Sequence, residues 1–354
     1  MIRAVGAALG PHAGRIGVGL LWLAAGLSAL APPPATRRGA DPPPLRRVVE
    51  PVAHGVGRAL AVAPNGDVWW ITASRAVRFE AGEPTLGRVA LDLGPPRARW
   101  RRAPGPIAAA HVDAHGALWL GTRHGEVAIC RDGACRGLAG AFRGAGRPIA
   151  AIATHGERVY VAGAGLWRGT RSGPFEEIPA FAGTTLERAV AHPEHGVAVA
   201  AHGVVWWGGD AGWRRAWEAR AADGAVSALA LSPEGELWIG TEGGLVRVER
   251  SGGVHRELRG APVAALFAGA GGAAYAGTRG AGLFARHASG WRRVEAAGGL
   301  GTANVTGLAA APEGALWLAL NDGGLFRAGP ASRPPPVSAS APAGPGRSEG
   351  RGQP

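Results

Sequence analysis

Two stretches hold residues from which a site could be built. His111, Asp113 and His115 alternate, so an extended chain would put all three on one face, as a divalent metal requires. A local reading competes and is the stronger. His115-Gly116 fills the slot taken elsewhere by Asn65-Gly66 and Glu234-Gly235, which makes it a turn, and His192 and His195 flank a Pro-Glu turn in the equivalent place. Cys130 and Cys135 flank Arg131-Asp132-Gly133-Ala134, a turn that would lay two strands side by side and bring the Cβ atoms within bridging reach. In an exported chain that spacing predicts a disulfide, with two free thiols as the alternative. No second Cys/His pair lies near enough to make a zinc site, so no metal and no cofactor is expected. A phosphate-binding loop, a Gly-x-Ser-x-Gly elbow and a zinc-protease helix are all absent from the sequence.

The chain has 354 residues, 46% hydrophobic and 18% charged, with 60 Gly and 28 Pro. The glycines follow no three-residue period, which excludes a collagen, and the apolar fraction is too high for wholesale disorder. Only one apolar run approaches a bilayer span, which excludes a polytopic membrane protein. All 38 basic residues are Arg, and the formal charge is +12. Residues 1–47 carry +5 (six Arg, one Asp), residues 331–354 carry +2 (three Arg, one Glu), and the middle carries +5. Scattered single arginines are not the clustered cationic face of a nucleic-acid binder, so no nucleic acid is expected as a partner.

Residues 1–31 read as a signal peptide: Arg3 and Arg15 precede the apolar run Ile16 to Ala31, which ends in the cleavage-like Ala29-Leu30-Ala31. Pro32 to Pro34 disfavours cleavage there, and an uncleaved membrane anchor is the alternative. Either way the body is exported, to the periplasm or beyond, or held at the inner membrane facing the periplasm. No Cys follows the run, so a lipoprotein anchor is not expected. Residues 32–44 form a Pro-rich linker and 331–354 a disordered Pro/Ser/Gly-rich tail, leaving 45–330 as the folded unit.

Within that unit a pattern recurs: a turn glycine, any residue, an apolar residue, then an aromatic. It appears as Gly66 to Trp69, Gly116 to Trp119, Gly235 to Trp238, Gly272 to Tyr275 and Gly314 to Trp317, with weaker copies at Gly156 to Tyr160 and Gly196 to Val199. The spacing between copies runs from 37 to 50 residues, giving seven. A small-apolar run precedes each turn, and the aromatic strand often closes in Gly-Thr (Gly121-Thr122, Gly240-Thr241, Gly277-Thr278). A second glycine opens a third strand, as in Gly165-Leu166-Trp167-Arg168 and Gly244-Leu245-Val246-Arg247. Fourth strands are expected at Trp100-Arg101-Arg102, Phe175-Glu176-Glu177, Trp213-Arg214-Arg215 and Trp291-Arg292-Arg293.

Four short strands in forty-odd residues make a propeller blade, so the chain is predicted to be all-β, a single seven-bladed β-propeller. The last copy lacks a fourth strand, and Leu45-Arg46-Arg47-Val48-Val49 matches the missing pattern. A strand at about 45–50 is therefore expected to complete the last blade and close the ring without a free sheet edge.

The stretch from Val226 to Leu245, and that from Asn304 to Arg327, resemble the two-component-regulator propeller repeat, which forms the periplasmic sensing part of hybrid histidine kinases. That resemblance implies an exported sensor-like module; the transmembrane and kinase regions that accompany it in the family are missing here. Asp210-Ala211-Gly212-Trp213 is more distantly similar to the Asp-box of sialidase-like and photosystem-assembly propellers, and the glycine-aromatic signature to streptogramin-lyase-like ones. Sialidase chemistry needs a tyrosine nucleophile beside an acid and several arginines, but Tyr160 and Tyr275 both fall in the blade-packing slot.

A ligand should meet the loops at one mouth of the central channel. The candidates are Arg123, His124, His202, Glu242, Arg279, Asn321 and Asp322, together with Thr122, Thr241 and Thr278. The expected function is non-catalytic binding, by a monomer, of a small molecule, glycan or envelope protein, as a sensor-like or assembly-scaffold module. The alternative is a lyase or glycan hydrolase using His124, Glu242 and Asp322 as acid, base or metal ligands.

Overall fold

In a computed structural model the described residues are 45–47, 57, 59–72, 75–81, 87–92, 106–138, 146–287, 289–294, 303–312, 314–321 and 324–328. The expectations for 1–44 and 331–354 lie outside them.

Seven four-stranded antiparallel sheets follow one another along the chain. Blade one is Ala59–Val62, Val68–Ile71, Arg75–Phe79 and Gly87–Asp92; blade two is Ile107–Val112, Leu118–Thr122, Val127–Arg131 and Ala134–Gly137. Blade three is Ala151–His155, Arg158–Gly163, Gly165–Gly169 and Glu176–Glu177; blade four is Arg188–His192, Gly196–Ala201, Val204–Gly209 and Gly212–Glu218. Blade five is Val226–Leu231, Leu237–Thr241, Gly244–Val248 and Val254–Glu257; blade six is Val263–Ala268, Ala274–Thr278, Leu283–His287 and Gly290–Arg293. Blade seven is Val305–Ala310, Leu316–Leu320 and Leu325–Ala328, and its fourth strand is Leu45–Arg47, antiparallel to the third with Leu45 opposite Ala328 and Arg47 opposite Phe326. The first strand of every blade touches those of both neighbours, in a closed circle. This is a seven-bladed β-propeller sealed by the strand from the start of the chain.

The turn glycines have a specific task. Gly66, Gly116, Gly235 and Gly314 all have φ between 76° and 89°, the left-handed position of a tight hairpin, where a Cβ would be strained. After this turn the second strand starts in the same register in each of these blades, and its residues alternate between the two neighbouring blades.

That alternation builds the core. Among the described residues the buried apolar side chains form seven clusters, one at each interface between blades. Leu118 and Leu120 face blade one, whereas Trp119 faces blade three. Leu237 and Ile239 face blade four and Trp238 faces blade six. Leu316, Leu318 and Leu320 face blade six and Trp317 faces blade one. In these blades the signature aromatic is thus the wedge driven into the next blade, and burying one indole contributes several kcal/mol, roughly 3–5 by the usual cost of its removal.

Two expectations are corrected here. In blade four the forward-facing position is Ala198, not Val199, which faces back toward blade three. The missing bulk comes from Trp207, directly opposite Ala198 on the third strand. In blade one the fourth strand is Gly87–Asp92 and not Trp100-Arg101-Arg102, which lies outside the described residues. Gly87 pairs with Phe79, whose ring fills the space a Cβ would need, and this seats the nearer segment first.

The Gly-Thr ending of the second strand also has a physical cause. A Cβ on Gly121, Gly240 or Gly277 would come within 2.5–2.7 Å of Ile149, Val263 or Val305, the branched residue with which the next blade leans on it. The following threonine is buried and closes the turn: Thr241 Oγ1 donates to the Gly244 carbonyl (3.0 Å) and Thr278 Oγ1 to that of Gly282 (2.7 Å). Replacing Gly240 with Val should overpack the interface between blades five and six and lower stability by about 1–3 kcal/mol, read as a lower urea midpoint. An unchanged midpoint would show that Val263 can move aside.

Candidate functional site

At one end of the ring lie the turns between second and third strands and the links that join blades. Arg123, Glu242, Arg279 and Asn321 occupy one equivalent position, the first residue of such a turn. Each donates its backbone N–H to the link entering its own blade: Arg123 to Pro106 (2.9 Å), Glu242 to Ala225 (3.2 Å), Arg279 to Pro262 (2.9 Å) and Asn321 to Asn304 (3.0 Å). The backbone is pinned while the exposed side chain is free to differ, so variety here costs the fold nothing. Thr122, Thr241 and Thr278 are buried turn closures and do not present themselves to a ligand.

The structure joins three of the predicted residues into one polar chain across blades four, five and six. His202, in the left-handed region (φ 49°), donates its N–H to Glu187 Oε1 at 3.3 Å. Next to Glu187, Arg188 opens the first strand of blade four, where Nη1 donates to the Glu187 carbonyl and Nε to that of Ser227 on blade five, both at 2.6 Å. Arg279 is close enough that its charge bears on Arg188, and its own Nη1 meets Glu242 Oε1 at 3.7 Å. Glu242 is held by the link before it, where the Asp223 carboxylate takes a two-pronged grip from Arg256 (2.9 and 3.1 Å) and the Asp223 backbone carbonyl accepts from the Gly243 N–H (2.8 Å). Arg256 first, ahead of opposing burial, keeps the Asp223 carboxyl below the usual carboxylate range.

Glu187 and Arg188 were not among the sequence candidates, though a signal was there. The other first strands begin Ala59, Ile107, Ala151, Val226, Val263 and Val305; only blade four begins with a charge. Burial draws Arg188 below its ordinary value, outweighing the Glu187 carboxylate, and the Arg279 cation acts in the same direction. Its hydrogen bonds go to carbonyls, and no carboxylate pairs with it among the described residues.

The remaining candidates are not gathered. His124 stands on blade two, Glu242 on blade five, and Asp322 lies outside the described residues; no contact joins His124 to Glu242. His111, Asp113 and His115 diverge. His111 Nε2 meets Thr154 Oγ1 on blade three (2.8 Å), while His115 lies 3.5 Å from Glu157. Asp113 is buried and accepts from the His115 and Ala117 amides (2.9 and 3.0 Å), the Trp119 indole (2.9 Å) and Arg171 (3.0 Å). Burial alone would raise its pKa, but these donors hold it below the carboxylate range. Also at the other end of the ring, where the first strands turn into the second, His195 Nε2 bonds the Pro233 carbonyl of blade five (2.7 Å), and His155 Nδ1 that of His192 on blade four (2.9 Å). These histidines fasten blade to blade.

Tyr160 does meet an acid and two arginines: its hydroxyl donates to Asp210 at 3.3 Å, and Arg168 and Arg158 reach the same carboxylate at 2.8 and 3.5 Å. The tyrosine is nevertheless fully buried, and burial followed by the Asp210 charge pushes its pKa up to about 12. A phenol so disposed is an interface anchor, since a nucleophile needs the opposite shift and access to substrate. Cys130 and Cys135 lie directly opposite each other and are joined by a disulfide. The Asp132-Gly133 turn between them, with φ of 50° and 76°, is the two-residue type that sets this register.

The class defined by this architecture is the seven-bladed β-propeller. No family model matches the sequence, and no curated protein matches it. Solved structures do. A streptogramin B lyase superposes with a TM-score of 0.65 at 13% identity, over 80% of this chain and 96% of the lyase. The extracellular domain of a protein assigned to a hybrid two component system of B. thetaiotaomicron gives 0.63 at 13% identity, over 81% of this chain and 39% of that one. YCF48 bound to D1 peptide gives 0.64 at 11% identity, over 82% of this chain and 98% of that one. At such identities the likeness is one of fold.

The buried histidine offers a test of this packing. Burial lowers the His111 pKa from 6.5 to about 4, with the Asp113 charge opposing. The unfolded chain therefore binds the extra proton first. The contribution of His111 should be intact above pH 6.5, decline as pH falls and be lost below 4, a difference of about 3 kcal/mol. Urea titrations at pH 7 and 4.5 should show a smaller loss in His111→Gln than in the wild type; equal losses would mean that His111 charges freely in the fold.

Proposed function

We propose that this protein is an exported, non-catalytic binding propeller that takes an anionic group of a small molecule, glycan or envelope partner at the end of the ring marked by Arg188, Arg279 and Glu242. The observation that carries the reading is Arg188. A guanidinium half-buried between two first strands, hydrogen-bonded to carbonyl oxygens and with no carboxylate pair among the described residues, keeps its charge at a costly position. An anion reaching it would gain a charge-assisted partner in partly desolvated surroundings. Glu242, already facing Arg279, would then act as a specificity gate against dianions.

Export is supported by the N-terminal pattern and by the Cys130–Cys135 bridge, which persists in oxidising compartments. The sensor domain of similar fold is extracellular in its own protein. Among the described residues no helix is long and apolar enough to cross a membrane. An assembly-scaffold role fits the same site, if the anionic group belongs to an envelope protein.

A thermal-shift screen of the full chain against acidic sugars, carboxylated metabolites and their neutral counterparts tests the reading. An acidic ligand at about 100 times its Kd should raise Tm by a few degrees, and Arg188→Met should remove that shift. A neutral ligand acting equally well in both proteins would sink the proposal. Turnover of any hit would move the assignment to an enzyme.

A further inference from the structure

At the opposite end of the ring, on the rim between blades four and five, a groove of about 520 Å³ opens to solvent. Its walls include Glu194, His195, Trp207, Trp213, Arg214 and Arg250. Its floor is the turn Gly208 to Gly212, poor in side chains because the strands close up there: a Cβ on Gly208 would sit within 2.1 Å of the Gly212 carbonyl oxygen. This is the segment whose Asp210-Ala211-Gly212-Trp213 stood out in the sequence, and Asp210 is turned away to Tyr160 and Arg168.

The groove is rigid where it counts. The Trp207 indole N–H donates to the His195 carbonyl at 2.6 Å, which fixes the plane of its ring. Arg214, directly opposite Trp207 across the strands, lies over that ring with its guanidinium carbon 5.2 Å from the centroid. Stacking of this kind orients the planar fork of donors before any ligand arrives. Trp213, opposite Gly208, borders the groove but turns its indole to the other face of blade four, where it meets Phe181 edge to face at 4.9 Å. Arg250 reaches in from blade five. Neither Arg214 nor Arg250 has a carboxylate partner among the described residues, and both are exposed.

Two unpaired guanidiniums, one of them held flat, suit a carboxylate bound through both oxygens. Trp207, Ala211 and the glycines beside them suit a flat or apolar body attached to it. Glu194 leaves the groove with one net positive charge and repels polyanions, and the volume admits a molecule the size of one or two residues. We propose that this groove is a second binding site, distinct from the channel-end site, for a single carboxylate carried on an aromatic or apolar body: a free aromatic acid or the C-terminal residue of a protein chain.

The test is calorimetric titration of the full chain with N-acetyl-phenylalanine, with a tetrapeptide ending in phenylalanine, and with the C-terminal amide of each. The free acids should bind at least tenfold more tightly than the amides. Arg214→Gln and Arg250→Gln should each weaken the acids at least fivefold, while Arg292→Gln, on the exposed outer strand of blade six, should leave binding unchanged. A tighter tetrapeptide would assign the site to chain termini and a tighter amino-acid derivative to free acids, both in support. Equal binding of acid and amide, insensitivity to both arginine variants, or no binding of any probe at millimolar concentration would overturn the proposal. Unaltered thermal denaturation of the two variants would exclude misfolding as the cause of weakened binding.

Discussion

A blade in this ring has no solvent side. Each sheet is sandwiched between two others, so both faces of the second strand must be apolar, and each must fit a different neighbour. The structure meets this constraint by giving the two faces different jobs. The backward face carries aliphatic residues such as Leu118, Leu120, Leu237 and Ile239, with Trp70 of blade one as an exception, whereas the forward face carries a large aromatic, followed two residues later by a glycine in three of the blades. The aromatic fills the wide part of the wedge between blades, and the glycine lets the branched residue of the next first strand come close where the wedge narrows. The inward-converging geometry and the residue sizes are thus one fact seen twice.

The arginines complete the wedge. On third strands Arg78, Arg168, Arg247 and Arg327 stand directly opposite the forward aromatic. Arg247 and, from the next blade, Arg286 both lie over Trp238, at 5.8 and 5.5 Å, and Glu257 binds both arginines and the Trp291 indole. Cationic stems cover apolar surface while their heads reach acids at the rim. This gives these arginines a place in the packing without any appeal to a polyanionic partner.

Blade four departs from these rules, and both candidate sites border it. It puts Ala198 where its neighbours put an aromatic, starts its first strand with Arg188, and moves its bulk outward into Trp206, Trp207, Trp213 and Trp217. Departures from a repeat are where a fold gives up local consistency for another purpose. The turn glycines, the Gly-Thr endings and the closing strand were legible in the sequence because each is fixed by local backbone geometry or by a mutual deficit. The forward slot of blade four was not, because a shift of one residue in a strand sends a side chain to the other face, and no aromatic was there to mark it. The fourth strand of blade one was misplaced because a Trp-Arg-Arg string outshone a plainer segment closer in sequence. At the channel end, residue type identified His202, Glu242 and Arg279, but only the fold brings Arg188 between them and leaves Arg123, His124 and Asn321 on turns of their own.

The strand that seals the ring has a consequence for how the molecule comes into being. Arg47 pairs with Phe326, 279 positions later, so the closing sheet joins almost the two most distant parts of the folded unit. A chain synthesised from its start delivers Leu45–Arg47 first and its partner last. The six intervening blades can zip onto one another in sequence, each by local pairing, yet the ring stays an open arc until the end arrives. The entropy of that final closure falls on a single step, after neighbouring contacts have already shortened the effective loop. Until then the first strand waits as a short edge bearing two adjacent arginines, a charge pattern that discourages it from pairing with the wrong sheet.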